Sequence, residues 1–128
     1  MRYMLLIYLD EKTFSQSERE DCYKESAQLA RDLEASGHYL AAAPLHPTVT
    51  ATTLRVRDGK RLVTDGPFAE TREQLGGYYL VDAKDLDDAL RIAARIPAAR
   101  FGTVEVRPVM EIEGLPRDHR LLEFQFKD

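Results

Sequence analysis

Residues 52–65, TTLRVRDGKRLVTD, restrict the fold of this chain more than any other stretch. Apolar and polar residues alternate on either side of Asp58-Gly59, a dipeptide suited to the two positive-φ positions of a type I′ turn, so the segment reads as a β-hairpin. With a two-residue loop, Arg57 stands opposite Lys60, Leu54 opposite Val63 and Thr52 opposite Asp65. Side chains two apart share a face of a strand, which puts Asp65 on the apolar face with Val63 and Leu54. A carboxylate at the end of a buried face needs a partner.

The rest of the chain has to be built around that hairpin. Residues 3–9 are apolar at nearly every position, as in a central strand covered on both faces, and the run ends at Asp10. Two overlapping Ser-x-x-Glu boxes, Ser15 with Glu18 and Ser17 with Glu20, open a helix. Its apolar stripe is read as Cys22, Tyr23, Ala27, Ala30 and Leu33, with Gly37 as the stop. HYLAAAPLHP suits a second strand ended by Pro44 or Pro47, since proline cannot donate to a ladder. GYYLVDA is a further strand. A second helix follows, capped by Asp85, with Leu86, Ala89, Leu90, Ala93 and Ile96 as its stripe and Pro97 as its end. TVEVRPVM is the last strand, with Val104, Val106 and Pro108 on one face and Glu105 and Arg107 on the other.

Strand, helix, strand, hairpin, strand, helix, strand is the order of an α+β, ferredoxin-like split βαβ fold: an antiparallel sheet with an inserted hairpin and both helices on one face. The opposite face is then open. A first strand that is apolar on both sides leaves too much of that face to water, so a symmetric homodimer packing sheet against sheet is expected. Residues 1–112 are read as one domain. Residues 113–128 form a polar tail whose Leu115, Leu121, Leu122, Phe124 and Phe126 pack on the domain or on the dimer partner.

Composition narrows the function classes. At 44% apolar and 31% charged residues, the 128-residue chain has the balance of a globular domain. Its 22 acids against 18 bases, with no basic block, exclude the electrostatic footprint of a direct nucleic-acid binder. Cys22 is the single cysteine and cannot form an internal disulfide. The apolar start is too short for a membrane span and lacks a signal-peptide cleavage pattern, so a cytoplasmic protein with no membrane partner is expected.

YMLLIY at the start, TATTLRVRDGKRLVTDGPFAETREQLGGYYLVDAKDLDDAL in the middle and GTVEVRPVME near the end together resemble the YCII-related family, in the branch named for its DGPF motif. The resemblance covers residues 3 to about 112. It implies a ferredoxin-like dimeric α+β barrel and an enzymatic role suggested by a recurring histidine and aspartate. It also implies an association of some members with sigma factors of the extracytoplasmic-function type. No settled reaction comes with it, and function must be argued from the site.

The resemblance carries the aspartate to Asp65. One reading makes Asp65 the carboxylate that orients a histidine or holds a substrate proton; the other makes it an Asx-turn ahead of Gly66-Pro67. His46, in PLHPT, is the histidine taken with it as general acid or base, against the alternative of a capped loop residue. Arg55, Glu105 and Arg107 alternate with apolar neighbours and would line a barrel interior as a charge-balanced clamp for a small anionic ligand, or else stand as edge charges. Tyr78 packs in the sheet in the simplest reading, or else adds a hydroxyl to the same substrate-binding set. Glu70, Thr71 and Glu73 read as the start of a short helical turn. His38 and His119 read as surface residues, and Gly76-Gly77 as a place where backbone approaches backbone closely.

No metal or other cofactor is expected, because the three histidines share no ligating spacing and Cys22 stands alone. The first functional expectation is a dimer binding a small polar metabolite, with metal-free His46/Asp65 acid–base chemistry. The alternative is a non-catalytic module binding a ligand or partner in sigma-factor regulation.

Overall fold

The computed structural model describes residues 1–116. The tail residues His119, Leu121, Leu122, Phe124 and Phe126 lie outside the described residues. In chain order the elements are β1 (Arg2–Leu9), α1 (Gln16–Ala35), β2 (Tyr39–Pro44), β3 (Thr52–Arg57), β4 (Lys60–Asp65), β5 (Gln74–Asp82), α2 (Leu86–Ala93) and β6 (Thr103–Pro108). Four strands form an antiparallel sheet in the order β2-β5-β1-β6, and among the described residues β3 and β4 pair only with each other. β5 separates β1 from β2, which is the split βαβ arrangement of an α+β, ferredoxin-like fold with an inserted hairpin.

The register sorts the strand residues into two faces. Tyr3 pairs with Val81 and Leu5 with both Tyr79 and Val106, and these side chains meet Leu29 and Leu33 of α1 and Ala89, Ile92 and Ala93 of α2 in one core. Both helices therefore cover the same face. Each fully buried aliphatic side chain, such as Leu5, Leu33 or Ile96, contributes about 1.5–3 kcal/mol through its removal from water. On the other face lie Met4, Leu6 and Tyr8 of β1, Tyr78 and Leu80 of β5, Ala41 and Ala43 of β2, and Glu105 and Arg107 of β6. No described element covers them.

Both helices sit slightly rotated from the expected stripes. Ser15 caps α1 in a complete capping box with Glu18, while Ser17 lies inside the helix. The inward residues are Cys22, Ser26, Leu29, Ala30 and Leu33; Ala27 and Tyr23 are exposed. Leu29 faces the core because it lies four residues before Leu33, and Ser26 is drawn in by the Tyr79 hydroxyl, which donates to its carbonyl at 2.6 Å. Asp85 caps α2 as expected. The helix ends at Ala93, and Pro97 opens a 3₁₀ turn over Pro97–Arg100 instead of closing the helix. Ile92 is buried, while Leu86 and Leu90 face outward.

The hairpin forms with the predicted register: Thr52 opposite Asp65, Leu54 opposite Val63 and Arg57 opposite Lys60. Asp58 and Gly59 take φ of 53° and 73°, as the type I′ turn demands. Its apolar face, expected to be buried, is open among the described residues. Leu54, Val56 and Val63 are each more than half exposed, because the two strands contact chiefly each other.

Candidate functional site

Three strand ends meet where β1 stops, β2 stops and β5 begins. Asp10 accepts from the Lys12 amide and starts a 3₁₀ turn that brings Glu11 back over the sheet end. The two oxygens of the Glu11 carboxylate accept from the Thr48 amide and the Thr48 hydroxyl, each at 2.8 Å. The Glu11 amide donates to Gln74 Oε1 at 3.0 Å, and Gln74 Nε2 donates to the Thr71 carbonyl. Hydrogen bonds to an ionised carboxylate are stronger than neutral ones, so this clip holds the loop after β2 against β1 and β5. Its members are 37 and 63 residues apart in sequence, and no local pattern marks them.

The clipped loop carries His46. The Leu45 amide donates to the Gly76 carbonyl at 2.9 Å, and Pro47 begins the turn to Thr48–Thr50. Gly77 allows that approach, since a Cβ there would stand 2.9 Å from the Ala43 carbonyl oxygen. His46 itself is exposed. Leu45 and Pro47 flank it and line a small cavity of about 50 Å³ with Leu9, Glu11, Arg19 and Cys22. Burial pushes the Cys22 thiol pKa up, partly opposed by a hydrogen bond from its neighbour Ser26, which keeps the sulfur protonated and inert near neutrality.

Asp65 ends β4 at the base of the hairpin. Gly66, at φ 99°, turns the chain there; its amide donates to the Ala51 carbonyl at 2.7 Å, and its carbonyl accepts from the Thr53 hydroxyl. Among the described residues nothing donates to the Asp65 carboxylate, so the Asx-turn is not made and the corner is set by Gly66. The expected helical turn over residues 70–73 is also absent. The segment after Gly66 is irregular, with the Thr71 hydroxyl on the Glu73 carbonyl and Glu73 Oε1 accepting from Thr103. Pro67 and the short Thr71–Glu73 hydrogen bond satisfy the backbone locally without a helical ladder.

The remaining candidates divide between two surfaces. Tyr78 and Glu105 flank Leu6 on the open sheet face, and Arg107 lies beside Met4 on the same face. Arg55 projects from the hairpin, opposite Leu62 and on the face away from Asp65, and the chain does not bring it to the other three. His46 and Asp65 form no hydrogen bond or ion pair with each other or with any described side chain. Among the described residues, no three His, Cys, Asp or Glu side chains gather as a metal-binding set.

One cluster escaped the sequence reading. His38, read as a surface residue, is partly buried: its Nδ1 lies 2.8 Å from the Ser36 hydroxyl and its Nε2 3.6 Å from Asp88 Oδ2. Asp88, almost wholly buried, also accepts from the Lys84 amide at 3.0 Å and from Arg91 at 3.1 Å. The Lys84 amide, then Arg91 and His38, hold the Asp88 carboxyl below its ordinary value of 3.8. The Ser36 hydroxyl donates to the Leu33 carbonyl, so the cluster locks the end of α1 to the start of α2.

The geometry defines a ferredoxin-like α+β protein with one helix-covered face, one open face and a clipped loop at the sheet end. The chain belongs to the YCII-related family, whose domain model matches residues 1–113. It is also similar to an uncharacterised protein of Rhizobium meliloti, 40% identical over 114 residues that cover 85% of this chain and 92% of that relative. No helix among the described residues is long and apolar enough to cross a membrane.

Proposed function

We propose that the chain pairs with a second copy across its open sheet face, binds a small polar metabolite there, and uses His46 and Asp65 for metal-free acid–base chemistry at the rim. The observation that carries this reading is the composition of the open face. Apolar Met4, Leu6 and Leu80 are interleaved with Tyr78, Glu105 and Arg107, none of which has a side-chain hydrogen bond or ion pair among the described residues. A largely apolar wall with a few uncommitted polar groups is what a site for a small polar ligand requires. Arg107 would clamp an anionic group and Glu105 a donor, with the Tyr78 hydroxyl between them. Arg55 would join this set only if the hairpin folds over the face when the copies pair.

The test is an NMR titration with a panel of small carboxylates and amines, followed by turnover assays. Ligand shifts are expected to cluster at Tyr78, Glu105 and Arg107 and to disappear in Arg107→Gln. His46→Gln is expected to lower turnover by about 10²–10⁴-fold, the range for losing a general acid or base. A panel that moves no resonance on this face overturns the reading.

The exposure and separation of His46 and Asp65 favour a second reading, a non-catalytic ligand- or partner-binding module serving sigma-factor regulation. It predicts that His46→Gln and Asp65→Asn leave ligand affinity unchanged and that no member of the panel is turned over.

A further inference from the structure

We infer that the β3–β4 hairpin is an exchanged arm, whose Leu54, Val56 and Val63 face seats on the second copy as a continuation of the open sheet face. This rests on the paired-copy reading above and adds the part of the molecule that completes the interface. An isolated two-stranded hairpin is at best marginally stable in water, and among the described residues this one pairs with no other strand. Its twelve strand residues are exposed apart from Thr53, including Leu54 at 55%, Val56 at 55% and Val63 at 58%. The register places those three on one face with Thr52, Arg61 and Asp65, while Arg55, Arg57 and Lys60 occupy the other. An apolar face therefore stands on one side of the arm and a basic face on the other.

Charge agrees with that occupant. Residues 52–65 carry four bases and two acids, a balance of +2 in a chain of net −4, so the rest of the chain stands at −6. The arm is thus the basic part of an acidic protein, and a second copy presents it with the complementary field. Size points the same way. Three aliphatic side chains fall well short of the roughly 800 Å² per partner of a stable interface, so the arm needs a neighbouring apolar surface to extend it. The open sheet face of Met4, Leu6 and Leu80 supplies one on the same chain. In a two-fold pair each copy would give one arm and receive one, so every arm substitution counts twice.

The experiment uses the full chain. Mixed samples of labelled and unlabelled protein report NOEs between copies, and sedimentation of the wild type, Leu54→Glu and Val63→Glu reports the dimer constant. NOEs from the methyls of Leu54, Val56 and Val63 to the other copy are expected, with each substitution weakening dimerisation at least about tenfold while the far-UV circular dichroism stays that of the wild type. A dimer whose arm methyls have no neighbours in the other copy, and whose constant ignores both substitutions, overturns the arm and leaves the sheet-to-sheet pair standing. A chain monomeric throughout a dilution series overturns both.

Discussion

The four-stranded sheet and the two-stranded hairpin are built from the same alternation, yet among the described residues only the sheet has an apolar face that is covered. Leu5 on β1 is fully buried because two helices lie across its face; Leu54 on β3 stays more than half exposed because no described element crosses the hairpin. Alternation prescribes which residues share a face and is silent about what covers that face. Truncations in the body therefore probe a closed core, while truncations in the hairpin probe an apolar face that no described element covers.

The sharpest way to break this contrast is to truncate one leucine from each region. Leu5→Ala should lower unfolding free energy by about 2–5 kcal/mol in denaturant melts, since it opens a cavity in a closed core. Leu54→Ala should change the unfolding of the isolated chain by no more than about 0.5 kcal/mol, as exposed positions do. Equal losses would mean that the arm folds back on its own body.

Acid denaturation probes the polar lock between the helices. The folded-state pKa of Asp88 lies below its ordinary 3.8, so its stabilisation is present above that value and is lost as pH falls from 3.8 through the depressed folded value. Asp88→Asn should lower stability at neutral pH and flatten that acid limb in melts recorded across pH. An unchanged acid limb would remove Asp88 from the lock. A smaller effect is expected at the start of α1, where Ser15→Ala removes one half of the capping box and should cost about 1 kcal/mol without touching the arm.

Much of the fold was legible in the chain. The turn at Asp58-Gly59 dictated the hairpin register to the residue, and the Ser15–Glu18 box dictated where α1 begins, because both depend on contacts within a few positions. The inward stripes of the helices were less so: Leu29 and Ile92 are buried where Ala27 and Leu90 were expected, a rotation decided by what each helix packs against. At the candidate site, strand periodicity set Glu105 and Arg107 on the face opposite Val104 and Val106, but it assigned no face to Tyr78. The Glu11–Thr48 clip and the Asp88–His38 lock followed from no such pattern, since their members come from separate elements.

By itself the sequence determined the order of elements, the two faces of each strand and the turn chemistry at Asp58-Gly59, all consequences of local sterics and a period of two. Only the tertiary structure decided that the helices gather on one face, that Glu11 reaches Thr48, that His38 turns inward to Asp88 and that Asp65 ends a hairpin that no described element covers. Those outcomes depend on which distant surfaces meet, and a short-range pattern carries no record of its distant partner.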